Sequence, residues 1–166
     1  MGSQAGTFAH AQAVRAPEDE VLTVIVASGH PLLLLGIKGR LEGNGFAVVA
    51  EAASARELVA AAREHRPDLC LVDAALPGGG LDAAQRTRAV LSNVAVVFLM
   101  STDDANDGAF AIEAVRSGAT GVLFENMDPA RLVYALRDVA AGGSALPRML
   151  VSRLLDELRP PAAPAA

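Results

Sequence analysis

Arg66-Pro67-Asp68-Leu69-Cys70-Leu71-Val72-Asp73 is the stretch that decides the fold. Leu69 to Val72 are four apolar residues in a row, without alternation, which fits a short strand buried on both faces. Pro67-Asp68 punctuates its start, and Asp73 places a carboxylate at its carboxyl end. A strand covered on both sides needs helices above and below the sheet, and that arrangement belongs to parallel sheets built from strand-helix units. Cys70 is the only cysteine, so no internal disulfide exists. Inside this run it reads as a small buried hydrophobe rather than a reactive thiol.

The same alternation extends outward in both directions. Toward the amino end, Leu22 to Ala27 predicts a strand and His30-Pro31 opens a helix through Leu41, stopped by Gly43 and Gly45. Phe46 to Ala50 predicts a second strand. Ser54 caps a helix from Ala55 to His65, with Glu57 at capping-box spacing. Toward the carboxyl end, Pro77-Gly78-Gly79-Gly80 turns the chain into a helix over Leu81 to Leu91, and Ala95 to Met100 is strand four. A polar loop, Ser101 to Asp107, leads into a helix that ends at Ser117-Gly118. Strand five is Gly121 to Phe124, and Asp128-Pro129 opens a last helix through Ala141 to the stop at Gly142-Gly143. Five strands alternating with five helices predict an α/β doubly wound parallel sheet of order 2-1-3-4-5. The crevice of such a sheet lies at the carboxyl ends of the strands, beside Ser28-Gly29-His30, Asp73, Ser101 and Glu125.

The 166 residues divide into a disordered leader over 1–20, the sheet domain over 21–145, a helix over 146–159 and a Pro/Ala linker over 160–166. That linker points toward a further domain. The net charge of −5 argues against nucleic-acid binding by this unit alone, since such surfaces are basic. No apolar run reaches the ~18 residues of a membrane span, and no secretory signal opens the chain, so we expect a cytoplasmic protein with no membrane partner.

Several motifs in order resemble the receiver domain of response regulators, in the NarL/FixJ subfamily. Ala27-Ser28-Gly29-His30-Pro31 is similar to the family's acidic-pair segment, and Arg66 to Asp73 to its run into the phosphoacceptor. Leu76-Pro77-Gly78 is similar to the loop that follows, and Gly118-Ala119-Thr120-Gly121 to the entry of strand five. The resemblance implies a CheY-like, flavodoxin-like fold and phosphoryl transfer from a histidine kinase to one aspartate. It also implies two carboxylates that help hold Mg²⁺, a lysine and a Ser/Thr on the phosphoryl group, and an aromatic that switches inward.

Here the pattern is degenerate. Asp73 matches the acceptor and Ser101 the Ser/Thr position, but Ser28 and Gly29 replace the acidic pair, Glu125 replaces the lysine and Val122 the switch aromatic. A like-charge pair at ~4 Å costs about 4 kcal/mol at an effective dielectric near 20. That is roughly a thousandfold in rate. Asp73 therefore reads as a vestigial acceptor that caps amides of its own loop, with no catalytic residue, no metal ligand set and no cofactor. His30 reads as a helix-start residue. Asp103-Asp104-Ala105-Asn106-Asp107 reads as a polar capping loop, because a calcium loop needs a glycine turn and a terminal glutamate in register.

The expectation is an atypical response regulator that controls transcription independently of aspartyl phosphorylation. It would act as a homodimer or as a heterodimer with a related regulator. DNA would be bound through a helix-turn-helix domain beyond the linker. Val133, Tyr134 and Arg137 on the last helix are the interface candidates, since aromatics and arginine are favoured there. Two alternatives stand beside it: a working receiver phosphorylated on Asp73, and a small doubly wound enzyme or flavin carrier. The latter lacks a glycine-rich phosphate loop after strand one.

Overall fold

The computed structural model describes residues 20–101 and 108–164. The leader over 1–19, the Asp103 to Asp107 loop and the last two residues of the Pro/Ala linker lie outside the described residues. Five strands, β1 (Leu22–Ala27), β2 (Phe46–Ala52), β3 (Leu69–Asp73), β4 (Ala95–Met100) and β5 (Gly121–Phe124), form one parallel sheet in the order β2-β1-β3-β4-β5. The helices are α1 (Pro31–Glu42), α2 (Ala55–His65), α3 (Gly80–Val90), α4 (Gly108–Arg116), α5 (Pro129–Ala140) and α6 (Arg148–Leu158). Strand β2 runs two residues past the expected Ala50, because its partner β1 continues to Ala27 opposite Ala52. Helix α6 starts after Pro147, two residues later than expected.

The sheet divides two apolar layers. On one side Leu58, Phe98, Ile112 and Val122 bury the faces of α2, α3 and α4. On the other, Val24, Leu71, Leu99 and Leu123 meet Ile37 and Leu41 of α1 and Leu132, Leu136 and Val139 of α5. The central strand β3 is buried at all five residues, as its unbroken apolar sequence requires. At α2 the capping box forms as expected: the Glu57 amide donates to Ser54 Oγ at 3.2 Å, and the Ala53 amide donates to Glu57 Oε2 at 2.7 Å. After α5, Gly142 takes φ 94°, which turns the chain back along β5. There the Val122 amide donates to the Ala145 carbonyl and the Ala145 amide to that of Thr120, which closes the exposed sheet edge. Among the described residues no helix is long and apolar enough to cross a membrane.

Burial pushes the Cys70 thiol up to about 12. A thiol pKa raised by burial leaves the fold unpenalised below the unfolded thiol's range and destabilises it as pH climbs from there toward 12. Iodoacetamide at mildly alkaline pH is therefore expected to label Cys70 only as fast as the chain unfolds. Mass spectrometry showing rapid labelling of the folded protein would contradict this.

Candidate functional site

Strand order reverses between β1 and β3, and their carboxyl ends converge there on a short polar cluster. Strand β3 delivers Asp73, which is buried, and the turn after β1 delivers Ser28, which is also buried. The Ser28 hydroxyl donates to Asp73 Oδ2 at 2.7 Å, and the Ala75 amide donates to Oδ1 at 2.9 Å. Ser28 Oγ in turn accepts the His30 amide at 3.1 Å. The expected role of Asp73 as a cap for its own loop is thus seen at Ala75. Ser28 adds a partner that lies 45 residues away in sequence.

The loop over this cluster is tightly held. The Leu76 amide donates to the Asp73 carbonyl, and the Pro77 carbonyl accepts the Ala55 amide at 2.8 Å, which ties the loop to the start of α2. Gly78 has φ 89°, and a Cβ there would lie 3.0 Å from that of Ala55. Pro77 leans over Gly29: a Cβ on residue 29 would come within 2.9 Å of the proline ring. Any side chain at 29 thus requires that ring to shift.

The remaining positions are spread around this centre. Ser101 follows β4, whose Leu99 is in register with Asp73. Glu125 follows β5 and is exposed, with its amide donating to the Met100 carbonyl at 2.9 Å. It lines a groove between α1 and α5. Val122 is fully buried, opposite Phe98 of β4. Phe98 in turn packs edge-on against Phe110 of α4, with ring centres 5.4 Å apart and planes at 89°. The sequence reading missed this pair. The aromatic character of residues 98 and 110 was a usable signal, but their pairing required the fold. His30 sits exposed at the start of α1, as expected.

Among the interface candidates, Tyr134 is exposed and Val133 packs half-buried against the α1–α5 layer. Arg137 is turned inward: its guanidinium donates to the Asn44 carbonyl at 2.8 Å and lies over the Phe46 ring, 5.6 Å from its centre. It ties α5 to the turn before β2 instead of standing free beside Tyr134.

A family model for the response regulator receiver domain matches residues 24–137. The chain is similar to the "Probable transcriptional regulatory protein NarL" of Mycobacterium tuberculosis strain H37Rv, with 34% identity over 90% of this chain and 69% of that protein. It is 32% identical to the nitrate/nitrite response regulator protein NarL of Escherichia coli K12, over 84% of this chain and 64% of that protein. A solved two-component response regulator of the LuxR family from Aurantimonas sp. SI85-9A1 superimposes with a TM-score of 0.74 at 30% identity, covering 83% of this chain and 98% of the other.

The donor set does not fit the Mg²⁺ ion that the family implies. Among the described residues the cluster holds one carboxylate, both of its oxygens already accept hydrogen bonds, the adjacent hydroxyl presents a proton, and residue 29 has no side chain. A small hard cation is usually held by one or two carboxylates with waters and dehydrates reluctantly.

Proposed function

Because the chain belongs to the response regulator receiver family, we propose that it is a non-catalytic receiver whose control does not run through aspartyl phosphorylation. The observation that carries this reading is the closed state of Asp73. Phosphorylation would have to break a charge-assisted bond from Ser28 and another from Ala75. Each is worth about 1.5 to 3 kcal/mol. No acidic pair is present to recruit a cation that would repay the loss, and position 125 carries the wrong sign to draw in a phosphoryl group. The protein would work without Mg²⁺ and without a histidine kinase. Regulation would pass through association, with a second copy or with a related regulator. Transcriptional output would come from DNA contacts made by a helix-turn-helix domain beyond residue 166, in the cytoplasm.

A second reading, a receiver that does accept phosphate, draws on one observation: Asp73 stands at the carboxyl end of β3, with Ser101 just beyond the neighbouring β4. Intact mass after incubation with acetyl phosphate and Mg²⁺ separates the two. We expect no added phosphoryl group. A gain of one group that vanishes in Asp73→Asn would reverse the proposal in favour of the second reading.

A further inference from the structure

Helix α6 has an inner and an outer side. Leu150 is buried and Leu154 packs against the same core layer, so the inner side rests on α4. The flank toward α4 is charged: Arg116 bridges Glu113 at 3.5 Å and Glu157 at 2.8 Å, and Arg153 lines the groove between the two helices. The outer side carries Arg148, Met149, Ser152, Leu155 and Asp156, at i, i+1, i+4, i+7 and i+8. Met149 and Leu155 are 60% and 53% exposed, and Val151 and Leu158 extend the apolar surface along one edge. Four exposed apolar side chains on one 11-residue helix make a patch rather than scattered residues.

The charges on this face are placed symmetrically. Arg148 opens the helix, and no ion pair engages its guanidinium among the described residues. Asp156 pairs with Arg159 through Oδ1 at 3.2 Å, which leaves Oδ2 for a second donor. Arg148 and Asp156 are eight residues apart, about 12 Å along the axis, too far to pair within the helix. Ser152, with its small side chain, stands midway between them.

Opposite charges set evenly about a small residue are self-complementary in an antiparallel pair. A two-fold axis beside Ser152 brings a second α6 in head to tail. Arg148 then lies level with Asp156 of the second copy, its stem crossing Leu155 of that copy, and the reverse holds by symmetry. A parallel pair would set Arg148 against Arg148 and Asp156 against Asp156. An acidic peptide from another protein would answer Arg148 but not Asp156.

We propose that the outer face of α6 is the docking site for the α6 of a second copy, antiparallel about Ser152 and held by reciprocal Arg148–Asp156 pairs. The proposal rests on the reading of control by association and gives that association a surface. One short helix from each copy buries less than a standard interface, so the dimer is weak and forms as concentration rises. The amount of the chain itself then becomes an input.

Cross-linking at the axis tests it. Cys70 is buried, so Ser152→Cys places the chain's one accessible thiol beside the axis. Helices in contact there bring the two Cα atoms within the roughly 4.4–6.8 Å that a disulfide spans. With diamide as oxidant, over a concentration series, the linked dimer should form roughly tenfold faster than in Gln85→Cys, whose thiol lies on the exposed side of α3. Arg148→Asp and Asp156→Arg, each in the Ser152→Cys chain, should slow the reaction to the Gln85→Cys rate, because both charge pairs become like-charged. An equimolar mixture of the two should recover it as linked heterodimers, with both pairs complementary again. All these positions are exposed, so the variants should fold, and circular dichroism checks that they do. Cross-linking at 152 no faster than at 85, charge reversals without effect, or a mixture that does not recover overturns this docking. Sedimentation equilibrium of the native chain then separates the two levels. A dimer that persists leaves control by association standing, and a monomer at every concentration overturns that reading as well.

Discussion

Replacing Phe98 by alanine is expected to lower the unfolding free energy by about 3 to 5 kcal/mol, the range for a fully buried phenylalanine that leaves a cavity. Phe98 sits in register between Val72 of β3 and Val122 of β5, with no exposed surface, and its ring is the only aromatic surface against which Phe110 is seen to stack among the described residues. An edge-to-face pair adds about 0.5 to 1.5 kcal/mol beyond the area it buries. Backbone ladders hold the strands on either side, so the gap cannot close by moving them. The neighbours that can respond are on α4, and α6 rests on α4 through Leu150 and Arg116–Glu157. Urea unfolding should give the loss in stability, and hydrogen exchange should show it concentrated in α4 and α6. A cost below about 1 kcal/mol would mean that the layer collapses around the gap and that the aromatic pair does not hold α4.

The order of strands and helices could be read because each buried strand is a short apolar run with no period, bounded by glycine, proline or a cap. Leu69 to Val72 and Ala95 to Met100 carry that signal in their own residues. The capping box at Ser54 and Glu57 was legible for the same reason: both partners fall within one turn. The site was legible only as a set of positions. Ser28, Gly29, Asp73 and Glu125 could be assigned to strand ends, but the contacts that give them meaning cross the fold. The Ser28–Asp73 bond spans 45 residues. The pressure of Pro77 on Gly29 depends on a loop anchored by the Ala55 amide.

Arg137 shows the same limit from the other side. A helical wheel puts it beside Tyr134 and away from Leu132 and Leu136, which reads as surface. The wheel contains no information on the Asn44 turn that β2 brings alongside. The register slip in β1–β2 pairing, between Val24 and Ile25, leaves no mark in composition either. Helical periodicity assigns a face; it does not say which neighbour will be found there.

Ser28→Asp should have the second large effect, and its sign should depend on Mg²⁺. In the native chain the Ser28 hydroxyl donates a hydrogen bond to Asp73 Oδ2 in a buried contact of 2.7 Å. Aspartate at 28 removes that donor and sets a second carboxylate against the first. Two carboxylates sharing one buried site cannot both ionise freely, so the carboxyl pKa is raised in the folded variant. A raised carboxyl pKa leaves the folded state unpenalised at acid pH and destabilises it as pH rises through that range. Near neutrality the cost should be about 3 kcal/mol, as for other uncompensated buried charges. Mg²⁺ supplies the missing positive charge, and at ten times its dissociation constant it should return about 1.4 kcal/mol. Thermal melts of both proteins with and without Mg²⁺ make the comparison. The variant should begin less stable and rise on adding the ion, while the native chain should not respond. An equal rise in the native chain would mean that Asp73 and Ser28 already suffice to hold the ion, and the case against phosphorylation would lose its electrostatic basis. If neither protein responds, Asp73 is not directed toward a cation in this fold, and a second carboxylate at position 28 is not enough to build a cation site.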